Sequence, residues 1–174
     1  MSAALAFDAA AVWGWLDEVA DPEIPVVSIR DLGIVREVRV NGDEVEVVLT
    51  PTYAGCPATQ VIEESVLDTL RTHGVERARV STTLAPPWTT EWISAEGRAK
   101  LKAYGIAPPG SLHPSGAQVI RFDALRHKQA EQHPDCPQCG SAHTELLSQF
   151  GSTACKALYR CLDCREPFDY FKPY

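Results

Sequence analysis

Apolar positions along the first hundred residues change period from helical to alternating and back. Val12, Trp13, Leu16, Val19 and Ala20 recur at helical spacing, which predicts an amphipathic helix over residues 9–20. Asp8 is placed to cap it and Pro22 to stop it. Beyond Ile34 the period drops to two. Val40-Asn41-Gly42-Asp43 carries the Asn-Gly signature of a type I′ hairpin turn, which would pair Val40 with Asp43, Val38 with Val45 and Ile34 with Leu49. Ile34, Val38, Val40, Val45, Val47 and Leu49 then share one face, broken by Arg36. The opposite face pairs Arg39 with Glu44 and sets Glu37 against Glu46, a like-charge pair tolerated only in water. The hairpin is therefore predicted to bury one side.

Helical spacing returns after a loop at 50–55. Pro57 suits the first helical position, Ile62, Val66, Leu67 and Leu70 mark a buried face, and Gly74 ends the helix. Residues 75–84 alternate as a third strand, and Ser94 can cap a last helix ending near Gly105. The order is α-β-β-α-β-α, and a helix between the second and third strands makes them parallel if they are neighbours. The predicted class is α+β (α/β), one sheet with helices packed on it, over residues 1–107. Pro108, Pro109, Gly110 and Pro114 give residues 108–133 a linker composition. Within it, Val119–Phe122 could be a short strand and 123–132 a frayed polar helix.

The remaining segment, 134–174, is too short to hold together by burial alone. It carries Cys136-Pro-Gln-Cys139 and Cys161-Leu-Asp-Cys164. Two residues between cysteines let both sulfurs of a turn face one ion at about 2.3 Å, and two such turns close a tetrahedron. Gly140 can supply the positive φ a metal knuckle needs. A structural zinc contributes about 10–16 kcal/mol of apparent binding energy, enough to fold so small a unit. Disulfides or free thiols are the alternative, and the paired spacing favours one zinc. Cys155 is assigned to the core of this segment, and His143 is the nearest substitute ligand.

Composition narrows the function classes. The chain has 174 residues, 45% hydrophobic and 22% charged, as a soluble globular protein does. Its net charge of −7, with no basic stripe in the tail, argues against nucleic-acid binding. No stretch is long and apolar enough for a membrane span. The Ala-rich start has no basic residue before Arg30, so no export signal is read there. Six cysteines then point to metal chemistry in a reducing cytoplasm.

Outside the tail, Cys56 is the first chemistry-bearing candidate. It stands where a strand-end loop meets a helix start, a position that favours thiolate and so attack or iron ligation. A small buried thiol is the competing reading. Asp21 and Glu23 flank Pro22, as carboxylates that could bind metal or a basic partner, or simply as a solvated turn. Asp31 and Gly33 are taken as turn residues, Trp88 and Trp92 as packing residues. No phosphate-binding glycine loop, nucleophile elbow or catalytic triad is present.

Asp21-Pro-Glu-Ile-Pro-Val-Val-Ser-Ile-Arg-Asp-Leu-Gly-Ile-Val35, the hairpin after it and Thr50…Cys56-Pro57 resemble the iron–sulfur assembly domain of the SufT-like family. The stretch from Ala85 to Ile93 and Gly105-Ile-Ala-Pro-Pro109 continue the match. The tail, with Phe150-Gly-Ser-Thr-Ala-Cys-Lys-Ala-Leu-Tyr-Arg-Cys161 and Arg165-Glu-Pro-Phe168, is similar to the PaaD-like accessory proteins of the bacterial phenylacetyl-CoA epoxidase system. That resemblance implies a cytoplasmic accessory protein with no catalysis of its own, assisting iron–sulfur assembly or insertion into the reductase component of the epoxidase. It implies Cys56 as the reactive or ligating thiol, Asp21, Glu23 and Thr52 as its support, zinc in the tail and an iron–sulfur cluster carried in transit. The implied partners are the reductase, the oxygenase and the assembly machinery, and a homodimer is left open. A docking adaptor and a tetrathiolate electron-transfer module stand as alternatives.

Overall fold

The computed structural model describes residues 7–110 and 133–173. The chain divides into two compact units, the first ending at Tyr104 and the second running from Gly105 to Pro173.

In the first unit, α1 (Ala9–Trp15) opens under Asp8, whose side chain accepts the Ala10 N–H at 3.2 Å, and a single 3-10 turn, Leu16–Glu18, extends it. The helix therefore stops short of the predicted residue 20. Val19 is extended, and Ala20 bridges Ser28 across a tight loop. The strands are β1 (Val35–Asn41), β2 (Glu44–Leu49) and β3 (Arg77–Thr82), joined in the order β1-β2-β3. β1 and β2 are antiparallel. β2 and β3 are parallel, as the crossover through α2 (Ala58–Thr72) requires. Ile62, Val66 and Leu70 of α2 and Val45, Val47 and Leu49 of β2 are all buried. Ser94 caps α3 (Ala95–Ala103) through the Gly97 N–H at 2.8 Å.

The hairpin register differs from the predicted one. Asn41 pairs with Glu44, Val40 with Val45 and Val38 with Val47, so the two-residue turn is Gly42-Asp43. Gly42 has φ +65° and Asp43 does not share a positive φ, the requirement of a type II′ rather than a type I′ turn. From Glu37 to Asn41 each residue faces a partner two positions further on than predicted, which keeps Val38, Val40, Val45 and Val47 on one face because side chains alternate with period two. A bulge between Val35 and Glu37 takes Arg36 out of that alternation and sets Val35 opposite Leu49. The charges gain by it. Arg39 stands opposite Glu46 and also grips Glu37, so the two glutamates share a cation instead of opposing each other.

In the second unit, β4 (Ile106–Ala107), β5 (Thr144–Ser148), β6 (Lys156–Cys161) and β7 (Pro167–Phe171) form one sheet in the order β4-β7-β6-β5. Ile106 and Ala107, placed by the sequence at the end of the first domain, pair in parallel with β7 and are buried there. Pro108 and Pro109 end the strand because proline brings no N–H to a ladder. Ala107 joins Cys136, Cys161 and Phe168 in the apolar core of this unit, with Tyr159 and Tyr170 against it. The sequence readings for 119–122 and 123–132 lie outside the described residues.

Candidate metal centre and thiol site

Two knuckles of the same construction bring the four tail cysteines together. The N–H of the first cysteine of each reaches the carbonyl five residues on, Cys136 to Ser141 at 2.9 Å and Cys161 to Glu166 at 3.0 Å. Each turn is closed by a residue of positive φ after its second cysteine, Gly140 at +76° and Arg165 at +68°. The glycine was legible in sequence. The arginine was not, since nothing in its identity announces a left-handed backbone.

The four Sγ atoms lie within 4.8 Å of one another. Cys136 and Cys164 are 3.7 Å apart and Cys139 and Cys161 are 3.6 Å apart. A tetrahedron with metal–sulfur bonds of about 2.3 Å has edges of about 3.8 Å, so the donor set fits one tetrahedral ion. The electrostatic environment of the thiols points the same way. The Cys164 N–H, with the Asp163 N–H, holds Cys161 down at about 7 against the cost of burial. Cys164 has the Glu166 N–H in its favour, yet burial and the neighbouring sulfurs push it up to about 12. Four thiols at one point cannot all ionise without a cation among them. Cys136 and Cys161 are fully buried, and His143 stays outside the quartet, exposed and paired with Asp163 at 3.5 Å. Cys155 is buried beside the Thr153 hydroxyl at 3.0 Å.

In the first unit, Cys56 is half-buried between the 50–55 loop and α2. Its N–H donates to the Tyr53 carbonyl at 3.3 Å and its carbonyl accepts the Thr59 N–H at 3.2 Å, which fixes the backbone on both sides of the thiol. Thr52 lines an apolar cavity of about 390 Å³ with Pro51, Tyr53, Leu84, Pro87 and Trp88. The far wall of that cavity comes from the 84–89 segment, distant in sequence. Trp88 carries no local signal of this role, and it is held by an indole N–H bond to the Leu32 carbonyl at 2.9 Å.

Asp21 is buried, not solvated. One carboxylate oxygen accepts the N–H groups of Glu23 and Ile24, both at 2.9 Å, so it braces the Pro22 turn from within. Glu23 is half-buried. Among the described residues the cysteine quartet is the one group of three or more potential ligands within 4.8 Å, so Cys56, Asp21 and Glu23 form no such group.

Asp31 is a structural hub. Its carboxylate takes the Lys100 ammonium at 2.8 Å, the Ser28 N–H at 3.1 Å and the Ser94 hydroxyl at 3.2 Å. Burial pushes its pKa up, but these three together outweigh it and hold the carboxyl below its ordinary value.

Comparison with known proteins agrees with this division. Residues 9–82 match the iron–sulfur cluster assembly protein family, and residues 123–172 match the PaaD zinc beta ribbon domain. A solved domain of unknown function from Bacillus anthracis is 29% identical with a TM-score of 0.50, covering 53% of this chain and 89% of that one. An “Fe-S protein maturation auxiliary factor” from Porphyromonas gingivalis is 36% identical over 49% of this chain and 83% of its own length. Fold and site thus define an iron–sulfur assembly domain joined to a four-cysteine zinc ribbon domain. Across both parts, the chain is 45% identical to an Escherichia coli (strain K12) protein named as a component of 1,2-phenylacetyl-CoA epoxidase, over 92% of this chain and 90% of that protein. It belongs to the family of that epoxidase component.

Proposed function

We propose that this chain is a non-catalytic accessory protein of a phenylacetyl-CoA epoxidase system, assisting assembly or insertion of the iron–sulfur cluster of its reductase. The observation that carries this reading is Cys56, a half-buried thiol on a braced loop at a helix start, within the domain that matches iron–sulfur assembly proteins. In this reading the cluster is cargo. Cys56 ligates it in passing, Thr52 and the cavity it lines shape the approach, and Asp21 braces the turn that carries Glu23. The quartet holds one zinc, whose filled d shell gives the ribbon a cross-link without redox chemistry.

The test is Cys56→Ala in cells that express the epoxidase components. Cluster occupancy of the reductase falls, and with it epoxidation of phenylacetyl-CoA, while reductase already loaded works in a purified system lacking this chain. A stoichiometric requirement in that purified system overturns the maturation reading. It would favour a docking adaptor, the second reading, which is supported by the exposed Leu146, Leu147 and Phe150 on and beside the edge strand β5.

A further inference from the structure

The outer face of the β1-β2-β3 sheet is rich in arginine, and its arginines are not treated alike. Arg39 is bonded to Glu37 and Glu46, Arg77 to Asp43, and Arg79 to Glu46 at 3.0 Å. Arg36 has no carboxylate partner among the described residues. Instead its guanidinium lies over the Trp92 ring, 3.4 Å from the centroid, with one long bond of 3.5 Å to the Gly33 carbonyl. The backbone is shaped to allow this stack. Gly33 has φ +67°, and a Cβ there would stand 2.5 Å from the Trp92 carbonyl oxygen and 2.6 Å from its Cβ. Stacking fixes the plane of a guanidinium and leaves its in-plane N–H groups for a planar acceptor.

Arg36 borders a cleft of about 390 Å³ formed with Glu37, Arg39, Val48, Thr50, Thr83, Ala85 and Pro86. Thr50 is 1% exposed, and its hydroxyl is a buried polar atom without a hydrogen-bond partner. An orphaned buried hydroxyl is costly in a folded protein, and Thr50 lines both this cleft and the cavity beside Thr52, so a ligand atom reaching it from the cleft would relieve that cost. Glu37 forms no ion pair with Arg36, and both its oxygens are held by Arg39 at 2.8 and 2.6 Å. Val48, Ala85 and Pro86 supply an apolar wall.

We propose that this cleft is a carboxylate-binding site, in which a carboxylate on a short apolar stem is gripped by Arg36 and accepts a hydrogen bond from the Thr50 hydroxyl. The acceptor is planar and singly charged, the match for a fork of N–H donors. Its source is either a free carboxylic acid or a glutamate side chain of a partner protein.

The zinc-loaded full chain, labelled with nitrogen-15, is titrated with sodium butyrate, with neutral n-butyramide, and with the blocked peptide Ala-Ala-Glu-Ala-Ala. Butyrate shifts the Arg36 Nε and Thr50 amide signals saturably, and butyramide does not. Arg36→Lys, which keeps the charge and loses the fork, weakens binding about tenfold, and Arg36→Gln abolishes it. Thr50→Val weakens binding severalfold while raising the thermal midpoint of the free protein, which a purely structural hydroxyl would lower. Tighter binding of the peptide than of butyrate assigns the site to an acidic segment of a partner, and the reverse order assigns it to a small acid. The proposal is overturned if butyrate and butyramide act alike, if Arg36→Gln binds as the parent does, or if none of the three probes saturates by about 10 mM.

Discussion

At the scale of single residues, Arg165 and Cys56 carry the clearest expectations. Arg165 occupies in the second knuckle the left-handed position that Gly140 occupies in the first. A side chain there costs about 1–2 kcal/mol. Arg165→Gly is expected to stabilise the ribbon by about 1 kcal/mol, read from denaturant unfolding of the zinc-loaded protein, because relief of that strain exceeds the entropy of a freer unfolded chain. An unchanged or lower midpoint would mean that the arginine side chain makes compensating contacts. Cys56 is the half-exposed thiol outside the quartet, whereas Cys155 is buried. Iodoacetamide is therefore expected to modify one cysteine per folded, zinc-loaded chain, and mass mapping should place it at Cys56. Rapid modification of Cys155 would contradict its burial.

At the scale of elements, the hairpin and the Asp31 hub show different kinds of legibility. Asn41-Gly42 and Gly42-Asp43 are both acceptable two-residue turns, and both registers bury the same valines, so periodicity could not choose. The charges could have done so. Only the observed register sets Arg39 opposite Glu46 and keeps two glutamates from meeting. Asp31, by contrast, joins a turn at 28–33 to Ser94 and Lys100, and no local pattern foretells such long-range bonds. Because its folded pKa is lowered from 3.8, its stabilising share is complete above that value and is lost as pH falls through the lower folded value. Asp31→Asn is expected to cost about 1–2 kcal/mol at neutral pH and to flatten the acid limb of the stability curve below pH 3.8. Tryptophan fluorescence isolates the effect, since Trp13, Trp15, Trp88 and Trp92, the four tryptophans of the chain, all lie in the first unit. An acid limb identical to that of the parent would remove Asp31 from the account.

At the scale of the whole molecule, the two units draw stability from different sources. The first buries a layer of valines, leucines and isoleucines between sheet and helices. The second places two of its four clustered cysteines, Cys136 and Cys161, inside its own small core. Stripping the metal with a strong chelator is expected to melt the second unit, seen in the amide signals of β5, β6 and β7, while tryptophan fluorescence stays native. Metal analysis before stripping should give one zinc per chain and a colourless protein. A red protein containing iron would replace the zinc assignment with an electron-transfer site. Cys139→Ser should reproduce the stripped state without a chelator.

Residue spacing alone determined the α-β-β-α-β-α order, the parallel pairing across α2 and the gathering of the four tail cysteines, because each follows from short-range geometry. A helix period, a crossover length and a Cys-x-x-Cys turn are complete within a few residues of sequence. The resemblance carried by local motifs also pointed to the family. What the sequence could not fix depends on contacts between distant segments. Ile106 and Ala107 read as the end of the first domain because α3 precedes them, and only the open edge of β7 claims them for the ribbon. Trp88 reads as packing until its segment is seen to wall the cavity beside the Cys56 loop. Arg36 reads as a blemish on an apolar face until Trp92, far along the chain, is found beneath it and the Thr50 hydroxyl is found buried without a partner. Burial and pairing of this kind are properties of the folded chain, decided by which surfaces the core brings together.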